Sequence, residues 1–289
     1  MKEITIDVWA IVSELIERVP GLLINRETFL RDVFRDKLSP DQLNRVVELG
    51  DYGDVSLDML DSAANSCINK TRLTTSGASF VAGLPSSLPT LPATVTADIT
   101  QSFAFYVRIA QQLSYIYGEA NDFTKMQDDD RMTKLLLYIG AMFGIEAASQ
   151  VLALMSYNAG RILAKKFGQV AVTKVLNGVP WKVARTIAKM LGVKLTKGVV
   201  QKGISKVVPV LGGVVSGALT YATFGPMAKK LQCALRDTLK ASEAEIEELY
   251  EVISSEDDMD IAISVCSDVI ESEVLDPAEF KEDGSKEKS

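Results

Sequence analysis

Histidine is absent from all 289 residues, and its absence excludes many kinds of site. Without an imidazole there is no Ser-His-Asp or Cys-His catalytic arrangement and no histidine-ligated zinc or haem. Three cysteines, Cys67, Cys233 and Cys266, are too far apart for a CxxC motif, which favours inert, reduced thiols and a cytoplasmic setting. GxGxxG and GxSxG motifs are missing as well. We therefore expect no metal and no cofactor, and a catalytic role is the less favoured interpretation.

Carboxylates are missing from one long stretch of the chain. Residues 147–236 contain 14 lysines and arginines and no aspartate or glutamate, whereas residues 1–146 have a net charge of −7 and residues 237–289 one of −14. Cations without a local carboxylate cannot form ion pairs within their own helices. We expect them to meet the acidic C-terminal residues, anionic lipid headgroups or phosphates. Nucleic acid is the least favoured of these partners, because the basic stretch lacks aromatic stacking positions and nucleic-acid-binding motifs.

Strand patterns are absent too, since no segment alternates apolar and polar residues. Helix ends, by contrast, are well marked. Ser39 precedes Pro40 as an N-cap, Ser242 and Glu245 have capping-box spacing, and Gly118 is placed to end a helix that starts near Ala93. The sequence predicts an all-α protein, a helical bundle that is mostly one domain. Its 47% of hydrophobic residues are enough for a sizeable core.

Composition divides the chain into four regions. Residues 1–72 form an N-terminal helical region, and residues 73–236 form a hydrophobic and basic helical core. Residues 237–275 read as acidic C-terminal helices, and residues 276–289 read as a disordered tail because Lys, Glu, Asp and Ser dominate there.

Two apolar runs in the core region predict a hydrophobic helical hairpin. Leu135–Tyr157 has a carboxylate, Glu146, near its centre, which favours a buried helix over a membrane span. Val207–Met227 has 21 residues without a charge, the length that a spanning helix needs. Its Gly213 and Gly217 form a GxxxG face of the glycine-zipper kind, which lets helices approach closely in lipid or in a bundle. Both environments remain open for this run.

Cationic amphipathic stretches lie between the two runs. Lys182, Arg185 and Lys189 fall on one helical face, and we assign Trp181 to the apolar face opposite. Cations beside apolar bulk are what an interfacial membrane helix requires, although a bundle helix with a basic solvent face has the same pattern. The predicted lipid-binding residues are Lys165, Lys166, Trp181, Lys182, Arg185 and Lys189.

Polar residues also follow one stripe of the long helix before Gly118. The stripe contains Asp98, Gln101, Arg108, Gln112 and Tyr115. It predicts either a polar cleft or the solvent face of an ordinary bundle helix. A carboxylate on such an apolar helix could have a raised pKa and act as a base, so an enzyme would use Asp98, Arg108 and Tyr115.

Four sequence blocks carry a resemblance to a known family. They are FVAGLPSSLPTLPATVTADITQ at residues 80–101, LSYIYG at Leu113–Gly118, LLLYIGAMFG at Leu135–Gly144, and SKVVPVLGGVVSGALTY at Ser205–Tyr221. In order and spacing these blocks resemble the EcsC-family proteins of bacteria. The resemblance implies a cytoplasmic protein at the inner membrane face, with an ABC exporter as a candidate partner. It also makes Asp98, Gln101 and Tyr117 candidates for the polar cleft, without assigning them a role.

The favoured function is non-catalytic binding of an anionic membrane surface, or of a membrane-protein partner, through the basic, glycine-rich helical core. Two alternatives stay open. One is a membrane-inserting, permeabilising effector that uses Val207–Met227, and the other is a hydrolase-like enzyme acting on a lipid or another apolar substrate.

Overall fold

The computed structural model describes residues 8–75, 97–168, 179–190 and 214–254, and within them every regular element is helical, as the sequence predicted. The elements are α1 (Val8–Arg18), α2 (Arg26–Phe34), α3 (Pro40–Asn44), a π-helical turn (Arg45–Leu49), α4 (Leu57–Thr75), α5 (Ala97–Ile116), α6 (Asp128–Met142), α7 (Glu146–Leu154), α8 (Tyr157–Phe167), α9 (residues 179–190), α10 (Val214–Thr238) and α11 (Glu243–Ser254).

The predicted helix ends are confirmed. The Ser39 hydroxyl accepts the backbone N–H of Gln42, and the Gln42 side chain accepts the backbone N–H of Ser39. Ser242 and Glu245 make the same reciprocal pair at the start of α11. Gly118 has φ 99°, and the Glu119 N–H after it donates to the carbonyl of Ser114 at 2.9 Å. Each end is determined by residues within one helical turn of it.

The prediction of one continuous helix over Leu135–Tyr157 is wrong. Helix α6 ends at Met142, the chain turns at Gly144 with φ 78°, and α7 starts at Glu146. Glycine adopts this left-handed backbone without the penalty that a Cβ would bring. Glu146 consequently lies exposed in the first turn of α7, where the helix dipole favours a carboxylate.

Helices α5 and α10 occupy the centre of the bundle. Helix α10 contacts α4, α5, α6 and α7, and α5 contacts α1, α2, α4, α6 and α10. Phe224, Ala228 and Leu231 of α10 are fully buried, so the end of the Val207–Met227 run lies in the protein core. Residues 207–213, with Gly213, are outside the described residues, and Gly217 lies in the first turns of α10. No described helix combines the length and the apolarity that crossing a membrane demands.

The first three sequence regions share one hydrophobic core. Its buried residues run from Val8 in α1 to Ile253 in α11. The acidic helix α11 contributes Ile246, Tyr250 and Ile253, and it lies against α7 and α8. The second predicted acidic helix and residues 276–289 lie outside the described residues.

Helix α9 approaches α6 and α7 at a glycine. A Cβ built on Gly140 would lie 2.5 Å from Cγ1 of Val183 in α9 and 2.8 Å from the Cβ of Ala148 in α7. Neither distance leaves room for a methyl group, because protein interiors are close-packed. The glycine therefore positions α9 on the bundle.

We expect Gly140→Ala to lower the free energy of unfolding by about 1–2 kcal/mol, because overpacking outweighs the better helix propensity of alanine. Urea unfolding followed by circular dichroism measures the change. Val183→Ala removes the methyl group that clashes with the new Cβ. In that background, Gly140→Ala should lower the free energy of unfolding by less. An equal cost in both backgrounds would show that α9 does not pack on Gly140.

Candidate functional site

The polar stripe of α5 does not open as a cleft at Tyr115. This side chain is fully buried, its hydroxyl donates to the carbonyl of Ile24 at 3.0 Å, and it accepts the N–H of Phe123 at 2.9 Å. The prediction that Tyr115 lines a cleft is therefore wrong. The hydroxyl instead joins the loop after α1 to the loop before α6, because a buried polar group needs partners within the protein.

The other stripe residues differ in what surrounds them. Arg108 is half-buried and donates to the carbonyl of Gly21 at 3.1 Å, and the Gln112 carbonyl oxygen accepts the Thr71 hydroxyl at 3.4 Å. Gln101 is half-buried near the start of α5. Asp98 lies in the first turn of α5, but its side chain is outside the described part of the structure, so its role as a base stays a prediction.

Tyr117, just after α5, belongs to a polar cluster with residues of α4 and α10, and Tyr117 and Gln232 are its buried members. Its hydroxyl donates to Oδ1 of Asp61 in α4 at 2.5 Å and accepts Nε2 of Gln232 in α10 at 3.1 Å. Nε of Arg236 lies 3.1 Å from the other oxygen of Asp61. Burial, and then the hydrogen bond to Asp61, raise the pKa of Tyr117, which keeps its proton at neutral pH. The cluster ties α5 to α4 and α10.

A second buried pair was not predicted from the sequence. Nζ of Lys134 in α6 lies 2.5 Å from Oε2 of Glu119, which follows α5, and the Tyr138 hydroxyl donates to the same oxygen at 2.9 Å. Burial alone would raise the pKa of Glu119, but the Lys134 ammonium and the hydrogen bonds outweigh burial and lower it. No spacing rule connects Glu119 and Lys134, because a loop separates them.

Arg26 is a third residue that sequence reasoning missed. Its guanidinium is buried and donates to three carbonyls, those of Glu119 at 2.8 Å, Val47 at 2.7 Å and Val46 at 3.1 Å. It therefore satisfies backbone oxygens of the π-helical turn and fastens that turn to the end of α5. These contacts give Arg26 a structural role.

The predicted lipid-binding residues of α9 form a solvent-facing stripe. Trp181, Arg185 and Lys189 are all exposed, and the indole keeps 56% of its surface accessible. The assignment of Trp181 to the apolar face is wrong, because steps of four residues place it in line with Arg185 and Lys189. Arg185 lies over the indole ring, 5.9 Å from its centroid. The opposite face is buried and consists of Val179, Val183, Ala184, Thr186 and Ile187.

The cations of α8 and α9 differ in whether they are paired. Nζ of Lys166 lies 2.5 Å from Oε2 of Glu247 in α11. Lys165 and Lys189 are exposed and make no ion pair with any described residue, while Lys182 is half-buried. Part of the positive charge of residues 147–236 is thus left facing solvent.

A groove of about 640 Å³ lies elsewhere, between α7, the end of α10 and α11, and none of the predicted site residues lines it. Three carboxylates and one lysine reach it, Asp237, Glu245, Glu248 and Lys240. Within the described ranges, no group of three Cys, Asp or Glu side chains is arranged to hold a metal ion.

We expect Glu119→Gln to lower the free energy of unfolding by about 2–4 kcal/mol at pH 7, because the Lys134 charge loses its buried partner. The folded pKa of Glu119 lies below the unfolded value, so the stabilisation is complete above about pH 5 and disappears as the pH falls through the folded pKa. Urea unfolding at several pH values should show the difference between wild type and variant shrinking in acid. Glu48→Gln, in an exposed pair with Arg31, is the control and should change little.

Searches against protein-family models, curated proteins and solved structures find no match for this chain. The resemblance to EcsC-family proteins therefore stays a prediction. The exposed basic stripe of α9, with its indole, is the surface feature that lacks a partner within the described residues.

Proposed function

We propose that the protein binds anionic membrane surfaces through the exposed stripe of α9, Trp181, Arg185 and Lys189, together with the cations of α8. The observation that carries this proposal is the indole of Trp181, more than half exposed and aligned with two cations. Tryptophan is favoured at the boundary between headgroups and acyl chains, where its ring is half-buried and its N–H stays hydrated.

Electrostatics supports a reversible, peripheral association. Each Lys or Arg near an anionic leaflet contributes about 1 kcal/mol to the binding free energy. Three of them, Arg185, Lys189 and Lys165, would therefore strengthen binding by a factor of about 150. This attraction falls steeply with salt because these side chains are solvent-exposed. Lys165 and Lys189 give up no described ion pair when they meet a headgroup.

Insertion is the less favoured mode of membrane contact. Phe224, near the end of Val207–Met227, is fully buried in the bundle, so releasing this run into lipid would remove Phe224 from the core. Surface binding through α9 needs no such change, because its stripe already faces solvent. A membrane protein is the alternative partner for the same stripe. Vesicles that contain no protein distinguish the two partners, because only a stripe that binds lipid would attach to them.

The first test uses Trp181 as its own probe. The chain has two tryptophans, so Trp9→Phe leaves Trp181 as the single indole. We expect its emission to shift to the blue with vesicles that contain phosphatidylserine, and the shift to weaken as salt is raised. An unchanged spectrum would contradict surface binding. Dye trapped in the vesicles should be retained, whereas its release would favour the permeabilising alternative.

The second test removes charge from the stripe. Arg185→Gln and Lys189→Gln should each weaken binding to phosphatidylserine vesicles about fivefold, the equivalent of one headgroup contact. Lys125→Gln is the matched control, because it removes the same charge from an exposed lysine in the loop before α6. Flotation across a series of lipid concentrations measures the affinities. An equal loss in the control would mean that net charge, not the stripe, determines binding.

A further inference from the structure

Helix α11 is acidic and lies at the surface of the bundle. It contains five glutamates and no basic residue over Glu243–Ser254. Its buried side chains are Ile246, Tyr250 and Ile253, which face α7 and α8. Single surface helices can open locally at less than the global free energy of unfolding.

Two contacts fasten α11 to the basic end of α8. Glu247 pairs with Lys166 at 2.5 Å, and the rings of Tyr250 and Phe167 lie 4.4 Å apart between centroids. The ion pair is open to water, with 47% of the Lys166 side chain and 28% of the Glu247 side chain accessible. Such a pair is weak and is screened by salt.

The side of α11 away from α8 is less well covered. The groove of about 640 Å³ runs along α11 beside α7 and the end of α10. Leu249 and Val252 of α11 line it, and Val252 is 38% exposed. The groove leaves one edge of α11 open to solvent, while the helix still packs on α7.

We infer that α11 is an intramolecular cover that competes with anionic membranes for the basic end of α8. A lipid phosphate at Lys166 would lie beside the Glu247 carboxylate, so the two anions repel each other, and the other glutamates of α11 repel an anionic surface as well. Lipid phosphates that reach Lys166 displace α11 from Lys166 and Phe167. This inference rests on the proposed membrane binding and assigns its regulation.

The test compares two glutamates of α11 in the full-length chain. Glu247→Gln removes the partner of Lys166, whereas Glu248→Gln removes the same charge from a groove-facing position. We expect Glu247→Gln to tighten binding to phosphatidylserine vesicles about two- to fivefold more than Glu248→Gln does. Equal effects of the two changes would overturn the cover, because they would reflect net charge alone.

Tyr250→Ala provides a second variant, and circular dichroism checks that it stays folded. Its binding should exceed that of wild type because the ring contact with Phe167 is gone. Hydrogen exchange on wild type gives a separate readout. Amides of α11 should exchange faster when phosphatidylserine vesicles are added, and unchanged or slower exchange in the bound protein would overturn the inference.

Failure of the cover and failure of membrane binding give different results. If the Arg185 and Lys189 variants weaken binding while Glu247→Gln matches Glu248→Gln, the cover alone is wrong. If wild type stays unbound while Glu247→Gln or Tyr250→Ala binds, the cover is supported. If no variant binds vesicles, the proposed function is wrong and the cover falls with it.

Discussion

The buried hydroxyl of Tyr117 joins the end of α5 to Asp61 of α4 and Gln232 of α10, and this contact holds the centre of the bundle together. Beside it, Arg236 of α10 has no carboxylate three or four residues away in the sequence, so a tertiary contact supplies its counter-charge. Asp61 supplies it from α4, and the same carboxylate accepts the Tyr117 hydroxyl from α5. The cluster thereby fastens α10 where it touches α4 and α5, and α10 in turn contacts α6 and α7. Because the cations of one stretch have no carboxylates nearby in the sequence, some of them pair with carboxylates of distant helices.

The same charge segregation leaves a surface that the bundle does not neutralise. Lys166 finds Glu247 in α11, but Lys165 and Lys189 meet no described carboxylate. A solvent-facing indole stands in line with Lys189, although burial would be more favourable for its ring. Cohesion and the proposed membrane attraction have one origin, because cations without local partners are paired either within the fold or by an external anion.

Local signals predicted the fold class well and the site poorly. The capping residues Ser39 and Ser242 and the terminating Gly118 act within one turn, so the sequence alone shows them. Leu135–Tyr157 was misjudged because apolarity over many residues hides a glycine that turns the chain at residue 144. Tyr115 was misjudged because a polar residue on a helix indicates a cleft or solvent only until its partners are known, and its partner Ile24 lies 91 residues away.

Helical character, the four regions and the charge of residues 147–236 follow from the sequence, because periodicity, composition and capping are properties of neighbouring residues. The tertiary structure decided which cations are paired, which side of α9 faces solvent, and that Glu119 meets Lys134. Each of these depends on a distance between residues far apart in the chain, and no local period encodes it. The rotation of α9 is the clearest case. Gly140 and Val183 determine which side of that helix is buried, and Trp181 is exposed as a result.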